Sequence, residues 1–291
     1  MASADFDIRS PAFNDILAPD SKVEMLADGF GFTEGPVWFA EEECLLLADI
    51  FKGRIMRWSA KDGVSVFREN SGRSNGNYRD RQGRLVTAGH GSRSVHRTEA
   101  DGSITILADR YQGKRFHAPN DIVVKSDGTI WFTDPPYGIQ HEQRELEATF
   151  VFRLDPESGE LTPVTDEPVM PNGLCFSPNE QLLYVADSSD LHYIRVFDVV
   201  EGRHLRKGRR FAVVEPGIPD GFRVDTEGRL YTSAGDGIQV FSPEAELLGK
   251  ILVEKTPANC CFGGPGKHTL FITAHDALYS VTLASTGAQE P

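Results

Sequence analysis

The sequence predicts an all-β protein folded as a six-bladed β-propeller, with the ring closed by an N-terminal strand that completes the last blade. The main observation is a motif that returns six times, about every 40 to 50 residues, which is the period of a propeller blade. Each repeat opens with Glu, Asn or Asp and continues as a short strand, a tight polar turn and a second apolar strand. The six repeats begin at Glu34, Asn75, Asn120, Asn172, Asp220 and Asn259.

Third and fourth strands follow in each repeat, and their alternation of apolar and polar residues is typical of half-buried sheets. The sixth repeat lacks a fourth strand, because only a short polar segment remains after ALYSVTL at 277–283. The segment KVEMLAD at 22–28 has the fourth-strand pattern, so we expect it to pair with 277–283 and close the ring. The predicted organisation is an N-terminal extension over 1–21, one propeller domain over 22–283 and a C-terminal tail over 284–291.

Composition limits the classes of partner. A net charge of −13 argues against nucleic acid or an anionic membrane surface, since both need a basic footprint. The chain has no apolar run of 18 residues and no secretory signal pattern at its start. Its four cysteines show no framework spacing, which is typical of free thiols in a reducing compartment. We therefore expect a cytoplasmic protein without a nucleic-acid or membrane partner.

The six opening residues point to a cation site. The first strand of each propeller blade lines the central channel, so the ring symmetry brings all six openings together at one mouth. Two carboxylates and four carboxamides offer oxygen ligands without thiolate or imidazole, which is the set that Ca²⁺ and other hard cations prefer. The competing interpretation is that the Asn-Gly and Asp-Gly pairs only form turns. Six openings in register, one of them a glutamate, favour the cation.

These repeats resemble the SMP-30/gluconolactonase family of six-bladed propellers over nearly the whole chain, from about residue 25 to 283. The resemblance rests on EGPVW at 34–38, PNDIVV at 119–124, WFTDPPYG at 131–138, MPNGLCFSP at 170–178, LYVADS at 183–188 and PDGFRVD at 219–225. The DPPYG stretch is similar to the bacterial gluconolactonase and drug-responsive lactonase branch rather than to animal regucalcin.

The resemblance implies a metal-dependent lactonase acting on a small sugar lactone. The family's metal ligands carry over onto Glu34, Asn120, Asn172 and Asp220, with Asp220 also acting as general acid and base. One divalent ion is implied, Ca²⁺ first, with Mg²⁺, Mn²⁺ or Zn²⁺ as alternatives. Asn75, His117 and Tyr137 are candidate substrate contacts. His117 is alternatively a proton shuttle or an exposed loop histidine, and Tyr137 alternatively packs the rim.

Two other functions remain open from the sequence. Related propellers use a similar ring of ligands as metal-dependent phosphotriesterases or arylesterases. A non-catalytic calcium-binding propeller would also keep both Glu34 and Asp220. A closed ring leaves few free strand edges, so we expect a monomer, with a dimer as the alternative.

Overall fold

The computed structural model of the chain describes residues 5–289 and confirms the six-bladed β-propeller. Each blade is an antiparallel sheet, ordered from an inner first strand to an outer fourth strand. The first strands are Thr33–Phe39, Ser74–Arg79, Ile122–Val124, Pro171–Phe176, Phe222–Val224 and Pro257–Gly263. The second strands are Cys44–Asp49, Leu85–Gly89, Ile130–Asp134, Leu182–Asp187, Leu230–Ala234 and Thr269–Ala274.

The outer half of each blade is built from the third and fourth strands. The third strands are Arg54–Ser59, Ser94–Thr98, Phe150–Leu154, Tyr193–Val200, Gly237–Phe241 and Ala277–Thr282. The fourth strands are Gly63–Arg68, Ile104–Ala108, Leu161–Thr165, His204–Val213, Leu247–Leu252 and, from the N-terminus, Val23–Ala27. A small hairpin, Arg110–Tyr111 with Lys114–Arg115, precedes blade 3.

The predicted closure of the ring is confirmed. Val23–Ala27 pairs antiparallel with Ala277–Thr282, with Val23 opposite Val281 and Met25 opposite Tyr279. The first and last blades also meet through their side chains. Trp38 of blade 1 stacks on Phe271 of blade 6, with ring centroids 5.4 Å apart and planes 13° apart. Backbone pairing and aromatic packing therefore both hold the first and last blades together.

The N-terminal extension adds contacts that the repeat pattern does not predict. Phe6–Ile8 pairs with Leu247–Leu252 as a fifth strand on blade 5. The 3-10 helix Pro11–Ile16 follows and buries Phe13 and Ile16 completely. These apolar side chains pack with blades 5 and 6, so the extension covers the outer end of their interface.

The apolar core lies between the blades and between their strands, because each sheet is twisted and covered by its neighbours on both faces. The four cysteines are buried and free. Two further 3-10 helices, His141–Gln143 and Pro265–Lys267, lie in loops. None of the three short helices within residues 5–289 has the length and apolar run that crossing a bilayer takes.

Candidate functional site

The six opening residues form a continuous ring, as shown by contacts between successive blades. Asn77 Nδ2 of blade 2 donates to the backbone oxygen of Gly35 at 3.0 Å. The Gly76 N–H donates to the Asn120 oxygen of blade 3 at 2.7 Å. The hydroxyl of Thr133 in blade 3 in turn donates to the Asn172 oxygen of blade 4 at 2.7 Å. Blades 1 to 4 are thus joined at their openings.

The remaining contacts complete the circle. A Cβ atom on Gly173 would lie 2.3 Å from the Asp220 oxygen, so blades 4 and 5 touch where glycine leaves room. The Gly221 N–H donates to the Ala258 oxygen of blade 6 at 2.7 Å. Asn259 Nδ2 donates to Glu34 Oε2 of blade 1 at 3.0 Å. In four of the six blades the residue after the opening is a glycine where an added Cβ atom would clash with the next blade, so glycine is needed there for close approach, beyond any role in a turn: Gly35, Gly76, Gly173 and Gly221.

Glu34 and Asp220 are the two carboxylates of this ring, and the charge of Glu34 disfavours ionisation of Asp220. Glu34 is 4% exposed and accepts hydrogen bonds from the Gly35 N–H at 2.8 Å and from Asn259. Burial raises the pKa of the Glu34 carboxyl. Desolvation raises the pKa of Asp220 well above its usual value, and the nearby charge of Glu34 raises it further. Two such carboxyls are poised to share a proton or a cation.

Behind them lies a buried ion pair that the sequence did not single out. Arg223 is completely buried, with Nη1 3.4 Å from Asp121 Oδ2 and 2.7 Å from the Phe222 oxygen. Asp121 also raises the pKa of both Glu34 and Asp220. The Arg223 guanidinium thus pairs with Asp121 and also acts on Glu34, whose pKa its charge lowers against the larger effect of burial. The sequence signal for this ion pair is an arginine in a predicted inner strand, where a buried charge needs a partner.

The predicted substrate contacts lie close to this ring. Asn75 is 5% exposed, and its Oδ1 has no hydrogen-bond partner within the described residues. The Tyr137 hydroxyl lies 3.3 Å from Asn172 Nδ2, and burial, followed by the Asp220 charge, raises the pKa of Tyr137 to about 12. The structure thus brings Tyr137 beside two predicted ligands.

His117 lies in the loop that leads to Asn120. It is 2% exposed, so the alternative of an exposed loop histidine is wrong. Its backbone N–H donates to Asp134 Oδ2 at 2.8 Å. Burial lowers the pKa of the His117 imidazole, which is therefore neutral at pH 7 and can donate from one ring nitrogen while accepting at the other.

The donor set fits a hard divalent cation. No group of three or more His, Cys, Asp and Glu side chains in residues 5–289 is placed to hold a metal, so a site here must combine carboxylates with amides. Glu34 and Asp220 supply the charge, and Asn120 and Asn172 lie at the equivalent positions of two other blades. The unpaired Oδ1 of Asn75 adds another buried oxygen acceptor at this mouth.

Comparison with known proteins agrees with this architecture. Residues 32–276 match the family model described as the SMP-30/Gluconolactonase/LRE-like region. A gluconolactonase from Zymomonas mobilis is 33% identical, covering 96% of this chain and 86% of the relative. A solved gluconolactonase from Xanthomonas campestris has a TM-score of 0.89 and 38% identity, covering 96% of this chain and 94% of that one.

A regucalcin from Xenopus laevis is 27% identical over 87% of this chain and 86% of its own length. The repeat motifs, the propeller and the match over residues 32–276 together show that this chain belongs to the SMP-30/gluconolactonase/LRE-like family.

Proposed function

We propose that this protein is a lactonase that hydrolyses a sugar lactone to the open-chain acid, using one divalent cation held by Glu34, Asn120, Asn172 and Asp220. The observation that carries the proposal is the nearness of the Glu34 and Asp220 carboxyls at one mouth of the channel: desolvation raises the pKa of Asp220, and the charge of Glu34 raises it further. Ca²⁺ suits these oxygen donors best, ahead of Mg²⁺, Mn²⁺ and Zn²⁺. The gluconolactonase relatives support a sugar lactone as substrate.

The chemistry required is attack of water on a cyclic ester carbonyl, followed by opening of the ring. When bound, the cation supplies Lewis-acid polarisation of the carbonyl and acidifies water. Asp220 then takes the proton of the attacking water on its carboxylate and returns it to the leaving ring oxygen. The partly exposed position of Asp220 at the mouth gives substrate access to its oxygens.

Three neighbouring side chains bind and orient the substrate in this proposal. The unpaired Oδ1 of Asn75 accepts a hydrogen bond from a sugar hydroxyl. The Tyr137 hydroxyl stays protonated, since its pKa is raised to about 12, and donates near Asn172 and Asp220. The neutral His117 ring binds a hydroxyl or relays a proton from the rim. The partner is thus a small polyol lactone.

Turnover of D-glucono-1,5-lactone, measured with and without EDTA, tests this function. We expect hydrolysis that EDTA abolishes and added Ca²⁺ restores. A matched panel of paraoxon and phenyl acetate is run with the same metal additions. Metal-dependent hydrolysis of the phosphotriester or aryl ester without lactone turnover would replace the proposed substrate. Ca²⁺ binding without turnover of any of the three would point to a non-catalytic binding propeller.

A further inference from the structure

Three aspartates occupy one position in the fold, at the end of the second strand in blades 1, 3 and 4. They are Asp49, Asp134 and Asp187, and each is completely buried. All three accept hydrogen bonds from the backbone of the loop that leads into the opening residue of their own blade. We call them the loop aspartates.

The spacing of these bonds is the same in each blade. Asp49 Oδ1 accepts from the Gly31 N–H at 2.9 Å, three residues before Glu34. Asp134 Oδ2 accepts from the His117 N–H at 2.8 Å, three residues before Asn120. The same offset of three residues thus ties the loop before the opening to the end of the second strand of its own blade.

Asp187 makes the most extensive set of these contacts. Its Oδ2 accepts from the Val169 N–H at 3.0 Å, three residues before Asn172, and its Oδ1 accepts from the Met170 N–H at 3.1 Å. The Ser189 N–H also donates to Oδ1 at 3.2 Å. Both carboxylate oxygens of Asp187 are therefore used to hold backbone.

The loop aspartates occur in three of the four blades that supply a proposed ligand. Blades 1, 3 and 4 supply Glu34, Asn120 and Asn172. Blades 2 and 6 end their second strands with Gly89 and Ala274 instead, and their openings are not among the proposed ligands.

In blade 5, serine hydroxyl groups hold the backbone at the opening residue. The Asp220 N–H donates to Ser233 Oγ at 3.1 Å, and Ser188 Oγ of blade 4 donates to the Pro219 oxygen at 2.6 Å. The backbone beside each of the four proposed ligands is thus tied to a side chain of a second strand or of the residue that follows one. A loop without such ties has two free dihedrals per residue, which would let the ligand atoms spread.

We propose that Asp49, Asp134 and Asp187 are positioning residues that set the geometry of the cation site through the backbone, without touching the cation or the substrate. This inference rests on the proposed function, because the loops matter only if the openings hold a ligand. Groups that orient metal ligands typically change metal affinity about 10- to 100-fold when they are mutated.

The test compares Asp187→Asn with Asp225→Asn. Asp225 is equally buried and also uses both oxygens, accepting from the Glu227 N–H at 3.0 Å and from Arg229 Nε at 2.6 Å. It follows the first strand of blade 5, at the opposite end of the strands from the ring of openings. Each variant removes the charge of a completely buried carboxylate that uses both of its oxygens, and Asp225→Asn also breaks the ion pair with Arg229. Asp225→Asn is therefore expected to be at least as destabilising, and the two variants differ in which end of the blade they loosen.

Calcium affinity by titration calorimetry, melting temperature, kcat and KM are measured for wild type and both variants. We expect both variants to melt earlier, while only Asp187→Asn weakens Ca²⁺ binding, by about tenfold or more. Excess Ca²⁺ should restore much of its kcat. Asp134→Asn should have a smaller effect than Asp187→Asn, because Asp134 uses one oxygen and an amide can keep that bond.

Two negative results are distinguishable. A wild-type protein that binds no divalent cation would overturn the proposed function, and the positioning role with it. A wild-type protein that binds Ca²⁺, with Asp187→Asn and Asp225→Asn binding it equally well, would overturn the positioning role alone.

Discussion

Asn259 Nδ2 lies 3.0 Å from Glu34 Oε2, which joins two residues 225 positions apart across the closure of the ring. Asn259 is the opening residue of the last blade and Glu34 that of the first. Four of the six opening residues are proposed metal ligands, and Asn259 is one of the two that are not. It instead satisfies one oxygen of a buried carboxylate, and so holds Glu34 in place toward the channel.

The close packing of Gly221 against Asn259 gives a prediction on this contact. A Cβ atom on Gly221 would lie 1.9 Å from Asn259 Cγ, so Gly221→Ala must displace the Asn259 side chain from Glu34. We expect a loss of about 1–3 kcal/mol in the free energy of unfolding for the broken buried hydrogen bond, and more if the strands shift. Urea denaturation monitored by tryptophan fluorescence measures it.

The double variant Gly221→Ala with Asn259→Ala provides the control. Removing Cγ relieves the clash, so the two costs should be clearly less than additive. Fully additive costs would mean that Gly221 is required for another reason, such as a backbone shift that breaks the bond from its N–H to the Ala258 oxygen.

Asp220 and Asn75 should differ in the kinetic step that they affect. Asp220→Asn removes both a ligand charge and the proposed general base, so we expect kcat to fall by at least 10²-fold, with weaker metal binding. Asn75→Ala removes only a hydroxyl acceptor, so KM should rise severalfold with little change in kcat. Steady-state kinetics at saturating Ca²⁺ measures both. Equal and mild effects of the two substitutions would contradict the assignment of roles.

The ring and its openings could be predicted from the sequence because they repeat. Glu34 and Asp220 sit at equivalent positions of a periodic pattern, and symmetry alone places equivalent positions around one axis. The closing strand was predictable for the same reason, since one repeat lacked a strand whose pattern was present at residues 22–28.

Features that break the symmetry were not predictable. Arg223 and Asp121 pair across the channel from different blades, 102 residues apart, and nothing in either strand indicates the partner of the other. Phe6–Ile8 is too short to carry a period, and its place on blade 5 depends on an edge that exists only after folding. His117 looked like a loop residue from its neighbours. Only the three-dimensional course of the chain shows that it is buried.

Deletion of residues 1–28 tests the closure of the ring. It removes Val23–Ala27 and leaves Tyr279 and Val281, now 3% and 1% exposed, on an open edge of blade 6. We expect a protein that unfolds at a much lower temperature, or fails to fold, because paired strand and apolar cover are lost together. Deletion of residues 1–9 is the comparison, since it removes only the added strand Phe6–Ile8. A melting temperature unchanged by the longer deletion would show that closure depends on other contacts.

Asp134 gives a prediction on the pH dependence of stability. Burial raises the pKa of its carboxyl to about 7, against about 4 in an unfolded chain. The folded protein therefore binds this proton more tightly, and the stability it contributes below pH 4 is lost as the pH rises toward 7. Asp134→Asn lacks this titration, so wild type should lose stability relative to the variant between about pH 4 and 7. The difference between the folded and unfolded pKa values of Asp134 limits this loss in the free energy of unfolding to about 4 kcal/mol. Denaturant titrations with EDTA present measure it.

Asp276→Asn is the control of opposite sign. The ion pair with Lys255, at 2.6 Å, lowers the pKa of the Asp276 carboxyl to about 2. Stability from this pair is present above pH 4 and is lost as the pH falls toward 2, so Asp276→Asn should be less stable than wild type at neutral pH and approach it in acid. The pair is at the surface, where solvent makes the effect small. If the free energies of unfolding of wild type and Asp134→Asn kept a constant difference from about pH 4 to 7, Asp134 would be ionised in the folded protein without a cost in stability. Its unpaired Oδ1 would then need a donor beyond the protein atoms described here.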